Sequence, residues 1–514
     1  MLGEVTARYE VQTSEKLGRY LVAAKDLRSG EKILTDEPFV LGPSSDTSLV
    51  CFNCYLPLIS KFVVCKNCAV APICPGDGCP DYLLHKKWHT SQECEFFRSL
   101  KLMNGLHPLT MVQNVGSLLA LRACKKKAME PSNWDEFMKL ETHLEQRKGT
   151  SVWEFGDNTV KFIQSLCVSK ELMPDEEIIQ KTCAAIDVNS FEVRGPAIPA
   201  IGCAEILRGV YLKAALLAHD CVANTQMSIN DNNVLVCHAT MDIKKGDTLY
   251  YNYTDPLKGT SIRQKHLMIG KYFKCTCERC SDITEKDTYI SSAKCPDCKV
   301  GFVSQTSPEE WTCNGCKNTF PDSNIGYKVQ CCTDKFGVIN KKDEKELEEY
   351  IKYVSMVLAP NHYLLLEAKQ VLAGVLRDTI NREPRPTKKL MKRKMELCKE
   401  ILPVVDKLCP GISRTKAITL YELHVAMVQL AKKLFEGREI TGSAYLDELV
   451  AAEKYIKQAL EMLFIEPGNS PEGELCAKAL EEYRALKGTM STVLDAIHAE
   501  GKTYQFAIEN GSTD

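Results

Sequence analysis

Residues 51–94 have the sequence CFNCYLPLISKFVVCKNCAVAPICPGDGCPDYLLHKKWHTSQEC, which contains seven cysteines and two histidines. Eight of these residues follow ligand-like spacings, namely Cys51, Cys54, Cys65, Cys68, Cys74, Cys79, His89 and Cys94. They suffice for two tetrahedral sites, because a structural zinc ion takes four thiolate or imidazole ligands. His85 is an alternative to His89 as the imidazole ligand. The segment has few large apolar residues, so bound zinc must provide much of its folding free energy.

Charge limits the kinds of partner that this chain binds. The segment 51–94 has a net charge of +1, which favours a peptide-binding finger over a DNA-binding one. The whole chain has a formal net charge of −2. A protein that binds nucleic acid regardless of sequence needs a clear excess of lysine and arginine, so direct nucleic-acid binding is not expected.

The length and composition indicate a multidomain intracellular protein. A chain of 514 residues and 57.6 kDa is too long for one hydrophobic core. The first residues, MLGEVTARYE, lack the features of a secretory signal, and no apolar run approaches the length of a membrane span. We therefore expect the 25 cysteines to bind metal or to stay reduced.

Two further cysteine sets have metal-like spacing. One is split along the chain and contains Cys221, Cys275, Cys277 and Cys280. The other consists of two CxxC pairs, Cys295 with Cys298 and Cys313 with Cys316. These pairs predict a ribbon-like zinc site, with redox-active cysteine pairs as the alternative. Together with the two sites in residues 51–94, the chain is predicted to bind about four zinc ions.

Hydrophobic periodicity divides the chain into regions of different secondary structure. Short strands are predicted in residues 1–50 and 186–255, and helices in 95–185 and from about 325 to the end. In the last region three series of apolar residues alternate steps of three and four, for example Leu449, Ala452, Ile456, Ala459 and Leu463. Three such helices suggest a tetratricopeptide-like stack.

Several of these motifs resemble a known family. The ending Trp88-His89 and Glu93-Cys94 makes the eight-ligand segment similar to a MYND finger. The sequence KLGRYLVAAKDLRSGEKILTDEPFV before it, and the segments 189–191, 209–229 and 246–253 after it, resemble the two halves of a SET domain. A finger inside a split SET domain, followed by a helical tail, resembles the SMYD family of protein-lysine methyltransferases. The CPDC and CNGC pairs and the sequence NHYLLLEAK are most similar to its SmydA branch.

The resemblance implies an α+β protein with a β-rich SET core that is split by the finger. Cys275, Cys277 and Cys280, completed by Cys221, would form a post-SET zinc site. The expected divisions are the N-terminal half of the SET domain at residues 1–50, the MYND finger at 51–94, a helical insert at 95–188, the C-terminal half of the SET domain at 189–256, the post-SET segment at 257–283, a zinc-ribbon insert at 284–322 and a helical tetratricopeptide-like domain at 323–514.

The resemblance also implies an activity, S-adenosylmethionine-dependent lysine N-methylation of a histone or another protein. The catalytic tyrosine of the family corresponds to Tyr253, and strand alternation would place Tyr251 on the same face. The cofactor-binding positions correspond to Gly18, Arg19, Ala218, His219 and Phe273.

The sequence departs from the family pattern at two cofactor positions. Ala218 stands where the family has asparagine, and Tyr20 stands where it has the second glycine of the cofactor loop. Loss of a polar partner weakens cofactor binding. A catalytically weak or inactive adaptor, which acts through its finger and helices, is therefore the alternative interpretation.

The expected partners are a protein substrate or peptide motif, with transcriptional or chromatin proteins binding the MYND finger and no membrane partner. The expected location is the cytoplasm and the nucleus. Two basic runs fit nuclear-import signals or, more commonly, solvated helix faces. They are Lys125–Lys127 and the set Lys388, Lys389, Lys392, Arg393 and Lys394.

Overall fold

The computed structural model describes residues 7–59, 62–75, 88–100, 116–166, 175–197 and 204–510, with the backbone alone for 500–510. The predicted ligand Cys79 and the alternative ligand His85 lie outside these ranges. Within them the chain combines short strands with many helices, so the predicted α+β class is confirmed.

The strands of the described residues are short and concentrate in the first 330 residues. They are β1 (Tyr9–Ser14), β2 (Gly18–Ala23), β3 (Lys32–Asp36), β4 (Val40–Pro43), β5 (Val63–Val64), β6 (Pro72–Ile73), β7 (Ser190–Arg194), β8 (Ile206–Val210), β9 (Ala218–His219), β10 (Thr225–Ile229), β11 (Leu235–Ala239), β12 (Tyr250–Tyr251), β13 (Ala293–Lys294), β14 (Phe302–Ser307), β15 (Glu310–Cys313) and β16 (Thr319–Pro321).

The helices of the described residues lie mainly in the middle and in the last third of the chain. They are α1 (Ser91–Arg98), α2 (Ser117–Met129), α3 (Pro131–Met138), α4 (Leu144–Arg147), α5 (Ser151–Leu166), α6 (Glu176–Asn189), α7 (Thr260–Lys271), α8 (Glu278–Ser281), α9 (Ile325–Val338), α10 (Glu344–Val354), α11 (Tyr363–Arg382), α12 (Lys388–Leu408), α13 (Arg414–Glu436), α14 (Gly442–Leu463) and α15 (Pro471–Asn510).

The β core is assembled from strands that lie far apart in the sequence. Strand β3 pairs antiparallel with β11, which pairs with β10, and β4 pairs with β8, which pairs with β7. The two-residue strands β9 and β12 pair in parallel. Buried side chains from both halves form one cluster, which includes Leu21, Leu34, Leu207, Leu235 and Leu249. The halves therefore share a hydrophobic core, although the finger and helices α1–α6 separate them in sequence.

The strands β1 and β2 form an antiparallel hairpin at one edge of this core. Its turn leads into Gly18, whose φ of +64° is a conformation that glycine adopts without steric cost. On the second strand, Leu21 and Val22 are buried while Gly18 is exposed, so the hairpin's free end faces solvent.

The last third of the chain is a row of helices in which neighbours in sequence also pack together, from α10 to α15. The predicted apolar series lie on these helices, and Leu449, Ile456 and Leu463 are buried. Five of the helices begin at a side-chain cap that accepts a backbone N–H of the first turn, namely Asp343, His362, Thr387, Ser413 and Thr441. Amphipathic faces and caps together define this helical region.

Part of the basic run at the start of α12 is solvated, since Lys389 and Lys392 are exposed. Lys394 is buried and forms an ion pair with Glu422, and Arg393 pairs with Glu348 at 2.7 Å. The exposed lysines fit the interpretation of a solvated helix face, whereas the buried Lys394 does not. Among the described helices, none combines the length and the apolarity that a bilayer span requires.

The helical region contacts the β core directly. The Nη2 atom of Arg414, the first residue of α13, donates to the carbonyl oxygen of Met227 at 2.6 Å. Glu466 accepts from Arg414 Nε at 2.7 Å and from Gln226 Nε2 at 2.6 Å. These contacts fix the helices against β10.

Candidate functional site

The finger brings four of its predicted ligands to one point. The ligand atoms of Cys65, Cys68, His89 and Cys94 all lie within 4.8 Å of one another, and all four residues are buried. Three thiolates and one imidazole are a donor set that suits tetrahedral zinc. The residues present therefore fit a structural zinc ion.

A buried network fixes the imidazole of this cluster. His89 Nε2 faces the sulfur of Cys68 at 3.6 Å, so Nδ1 on the other side of the ring donates to Glu93 Oε2 at 3.0 Å. Glu93 in turn accepts from Arg122 of α2 at 2.5 Å and 3.1 Å. A carboxylate behind a metal-binding histidine fixes the ring orientation and its tautomer. Arg122 also donates to the carbonyl oxygens of Leu41 and Phe52, and thereby joins the finger to β4.

The second predicted site of the finger is described incompletely. The sulfur atoms of Cys51, Cys54 and Cys74 lie within 4.8 Å of one another, and all three residues are buried. The predicted fourth ligand, Cys79, lies outside the described residues. The three described cysteines fit the same chemistry as the first site.

The split set of cysteines is also brought together, although Cys221 precedes the other three by more than fifty residues. The sulfur of Cys221 lies 3.9 Å from that of Cys275 and 3.5 Å from that of Cys280, and Cys277 completes the group. The fully buried Arg263 donates from Nε to Cys221 at 3.3 Å and from Nη2 to Cys280 at 3.4 Å.

The positive charge of Arg263 can offset negative charge of the split cysteine cluster. Four thiolates around one Zn²⁺ ion have an excess of two negative charges, and a buried cation offsets some of that excess. Arg263 is held by Glu285 at 2.8 Å, and Glu285 also pairs with Arg279 at 2.9 Å. Ligand spacing indicates the cysteines but not these supporting charges, which were therefore not predicted from the sequence.

The ribbon cysteines form a separate cluster on the small sheet β13–β16. Cys295 lies 3.7 Å from Cys316 and Cys298 lies 3.8 Å from Cys313, measured between sulfur atoms. Backbone N–H groups of Gly301 and Gly315 point at the sulfurs of Cys298 and Cys313 at 3.3 Å. Such amide contacts stabilise thiolates, which are the metal-binding form of cysteine.

A cleft of about 2160 Å³ lies between the β hairpin, the split cysteine cluster and the helical region. Every residue predicted for catalysis or cofactor binding lines it, namely Gly18, Arg19, Ala218, His219, Tyr253 and Phe273. Tyr20 is not among the described residues that line the cleft, and its hydroxyl contacts Gln12 Oε1 at 3.3 Å on the hairpin. Tyr20 therefore does not close the cleft.

Tyr253 stands just after β12 with its ring in the cleft. Its hydroxyl donates to the carbonyl oxygen of Leu217, and its ring lies 6.3 Å from that of Tyr251. The expected proximity of the two tyrosines is thus present, although β12 ends before Tyr253. Burial raises the pKa of Tyr253, so the phenol keeps its proton at neutral pH.

His219 links the cleft to the split cysteine cluster. Its Nδ1 accepts the backbone N–H of Tyr253 at 3.0 Å, and its Nε2 lies 3.4 Å from the sulfur of Cys221. Because Nδ1 accepts, the ring proton is on Nε2 and points at the thiolate. The imidazole ring also contacts the ring of Phe273, with centroids 5.9 Å apart.

Lys271 is a cleft residue that was not predicted from the sequence. It is the last residue of α7, and its Nζ lies 5.3 Å from the centroid of the Tyr253 ring. Nζ also donates to the carbonyl oxygen of Val188. Burial, together with the nearby charge of Arg208, lowers the pKa of Lys271 to about 8. A lone lysine at a helix end has no sequence signal that would mark it.

Comparisons with known proteins match the part of the chain that contains most of the cleft residues predicted for catalysis or cofactor binding. A family model described as SET domain matches residues 18–254. The SET domain-containing protein SmydA-8, isoform A, of Drosophila melanogaster is 23% identical over 424 residues, covering 81% of this chain and 88% of the fly protein. Histone-lysine N-methyltransferase ASHR2 of Arabidopsis thaliana is 25% identical over 283 residues, covering 51% of this chain and 69% of the plant protein. Histone-lysine N-methyltransferase SMYD3 of Mus musculus is 24% identical over 278 residues, covering 53% of this chain and 61% of the mouse protein.

Proposed function

Because the chain is an SMYD-type SET-domain protein, we propose that it is an S-adenosylmethionine-dependent protein-lysine N-methyltransferase. The observation that supports this most strongly is the position of Tyr253. Its protonated hydroxyl lies in a cleft that is also lined by Gly18, Ala218, His219 and Phe273. These are the residues that the family resemblance assigns to the cofactor.

Methyl transfer to an amine depends on positioning, because the bound cofactor supplies a methyl group already activated on a sulfonium. In this chain the hydroxyl of Tyr253 orients the acceptor amine, and the carbonyl oxygen of Leu217 holds that hydroxyl. His219 fixes the backbone of Tyr253, and the ring of Phe273 offers an apolar face for an adenine. Residues of the helical region, among them Arg414 and Glu466, also line the cleft and would meet a protein substrate.

Calorimetric titration of the zinc-loaded chain with S-adenosylmethionine tests the proposal directly. Saturable binding at one site is the expected result, and Phe273→Ala should weaken it because the adenine loses its aromatic face. Phe302→Ala is the matched control, because Phe302 lies on the zinc ribbon. Transfer of labelled methyl groups to a lysine in a histone or cell-protein pool completes the test. A zinc-loaded chain that binds no cofactor contradicts the proposal.

Ala218 supports a second candidate function, a weakly active or inactive adaptor. Its methyl group lines the cleft where the family has an amide, so one polar contact to the cofactor is missing. The adaptor would act through the finger and the helical region, with a peptide motif as its partner. Binding of a peptide partner without any cofactor binding would favour this candidate.

The grouping of described cysteines into metal-ligand clusters supports a reducing compartment, and we propose the cytoplasm and nucleus. There the finger would bind transcriptional or chromatin proteins. Imaging of the tagged full chain tests the location, and exclusive retention in an oxidising compartment would contradict it.

A further inference from the structure

The ammonium group of Lys271 lies against the face of the Tyr253 ring, with 5.3 Å between Nζ and the ring centroid. Both residues line the cleft. Of the cation–π contacts among the described residues, this is the one whose aromatic ring belongs to the cleft. A lysine of the chain itself therefore lies beside the candidate catalytic tyrosine.

A substrate lysine has to bring the same chemical group to the same place. Its amine must come within reach of the Tyr253 hydroxyl before a methyl group can be transferred. An alkylammonium group is attracted to aromatic faces, so a ring that suits a substrate lysine also suits Lys271. The two amines compete for the space in front of Tyr253.

The contacts of Lys271 show a cation without a matching anion. Its Nζ donates to the carbonyl oxygen of Val188, and within the described ranges of the chain no carboxylate forms an ion pair with it. The negative charge of Asp187 also acts on Lys271, but this carboxylate is already paired with Arg147 at 2.7 Å and Arg208 at 3.4 Å. The charge of Lys271 is thus not neutralised by a described ion pair beside the cleft that this residue lines.

We infer that Lys271 is a specificity-determining residue whose ammonium group occupies the acceptor-lysine position, so that the cleft disfavours a second cation until Lys271 is displaced. The inference rests on the proposed function and deepens it. Two consequences follow for the ligands of this chain. Cationic ligands bind less tightly than neutral ligands of the same shape. A substrate lysine must also displace Lys271 from Tyr253.

A comparison of two cofactor forms tests the inference without measuring activity. S-adenosylmethionine and S-adenosylhomocysteine differ by one methyl group and by the positive charge on sulfur. The ratio of their dissociation constants, measured by calorimetry on the zinc-loaded full chain, therefore reports mainly the electrostatics of the cleft. Lys271→Met removes the charge and keeps an unbranched side chain, whereas Lys271→Arg keeps the charge.

We expect Lys271→Met to shift this ratio about five- to tenfold in favour of S-adenosylmethionine, because the repulsion between two cations is lost. Lys271→Arg should leave the ratio near that of the wild type. Lys265→Met is the matched control, since Lys265 lies exposed on the same helix and does not belong to the described lining of the cleft. Its ratio should not change.

Two other outcomes separate the inference from the proposed function. If both ligands bind and Lys271→Met leaves the ratio unchanged, the inference is wrong and the proposed function stands. If neither ligand binds to the wild type or to any variant, the proposed function is wrong, and the inference falls with it.

Discussion

The imidazole of His219 connects a cysteine cluster with the residue that we assign to catalysis. One ring nitrogen accepts the backbone N–H of Tyr253, and the other contacts the sulfur of Cys221. Because a backbone contact does not depend on the phenol, the position of Tyr253 survives changes to its side chain. The hydroxyl can therefore be tested separately from the geometry of the cleft.

Tyr253→Phe should lower turnover about 100-fold while cofactor affinity stays within about twofold, since it removes only an oriented hydroxyl. Methyl-transfer kinetics and calorimetry measure the two quantities. Tyr20→Phe is the control, because that hydroxyl lies on the hairpin and outside the described lining of the cleft. Equal turnover of Tyr253→Phe and the wild type would contradict the assignment.

Ala218→Asn should tighten S-adenosylmethionine binding by about 1–2 kcal/mol, because the amide restores a polar contact in the cleft. The pairing of β9 with β12 holds the backbone of Ala218 in place. Ala218→Leu has the branched shape and the number of side-chain heavy atoms of the asparagine variant but no amide, so calorimetry of the two variants tests the hydrogen bond. Equal affinities would show that the amide finds no partner.

The residues of the candidate sites differ in how well their roles can be predicted from the sequence around them. The cysteine ligands could be predicted, because a metal site imposes short spacings on its ligands. Arg122 and Glu93 are 29 residues apart, and Lys271 and Val188 are 83 residues apart. Such partners meet only after the chain has folded, and nothing in their local sequence marks them. The pairing of Arg122 with Glu93 and the position of Lys271 in the cleft were therefore missed.

Helix α2 acts as an element that holds the finger onto the β core. Its residue Arg122 is buried and contacts Glu93, Leu41 and Phe52. Glu93 belongs to α1, whose N-cap is Thr90, directly after His89. A short helix, a metal ligand and a long helix are thus joined through one arginine.

Arg122→Met should destabilise the finger region by about 3–5 kcal/mol, because it leaves the buried carboxylate of Glu93 without its strongest partner. The double variant with Glu93→Gln should recover some of this loss. Scanning calorimetry and the rate of zinc release to a chelator provide the measurements. Arg98→Met is the control, since Arg98 is exposed and donates to Asn67. If Arg122→Met were as stable as Arg98→Met, Arg122 would not hold the finger onto the β core.

Long periodic elements were predicted more successfully than short paired ones. The apolar series at Leu449 to Leu463 lies on α14, where every third or fourth residue faces the neighbouring helices and is stabilised by burial. Strands β9 and β12 have two residues each, and their pairing depends on regions of the chain far apart in sequence. Two residues are too few for a period, so their exact bounds could not be predicted.

At the scale of the whole molecule, cysteine clusters support successive regions of the chain. Two lie in the finger, one lies between the β core and α7, and one lies in the ribbon. The ribbon itself is fastened to the helical region, where the backbone N–H of Lys294 donates to Val357 at 2.7 Å. Zinc bound at these clusters would therefore support three separate regions of the molecule, and its removal should not act on one region alone.

Elemental analysis of protein purified without chelator should give about four zinc ions per chain. Cys65→Ser and Cys298→Ser should each lower the ratio by about one, because each removes a ligand from a different cluster. Cys476→Ser is the control, since this cysteine lies on α15 apart from the described clusters. A ratio near two for the unmodified chain would contradict the assignment of the split and ribbon clusters.

The shared core of the two SET halves also has a consequence for how the protein is made. Ser29 donates its backbone N–H to Asp242 Oδ1 at 2.9 Å, and these residues are 213 positions apart in the sequence. A ribosome adds about 5–20 residues per second, so the N-terminal strands wait about 10 to 40 s for their partners. During that interval the nascent chain exposes unpaired strand edges, whereas the finger has already emerged and can bind zinc. Co-translational chaperones are therefore expected to bind the unpaired edges of β3 and β4 more than the finger that follows them.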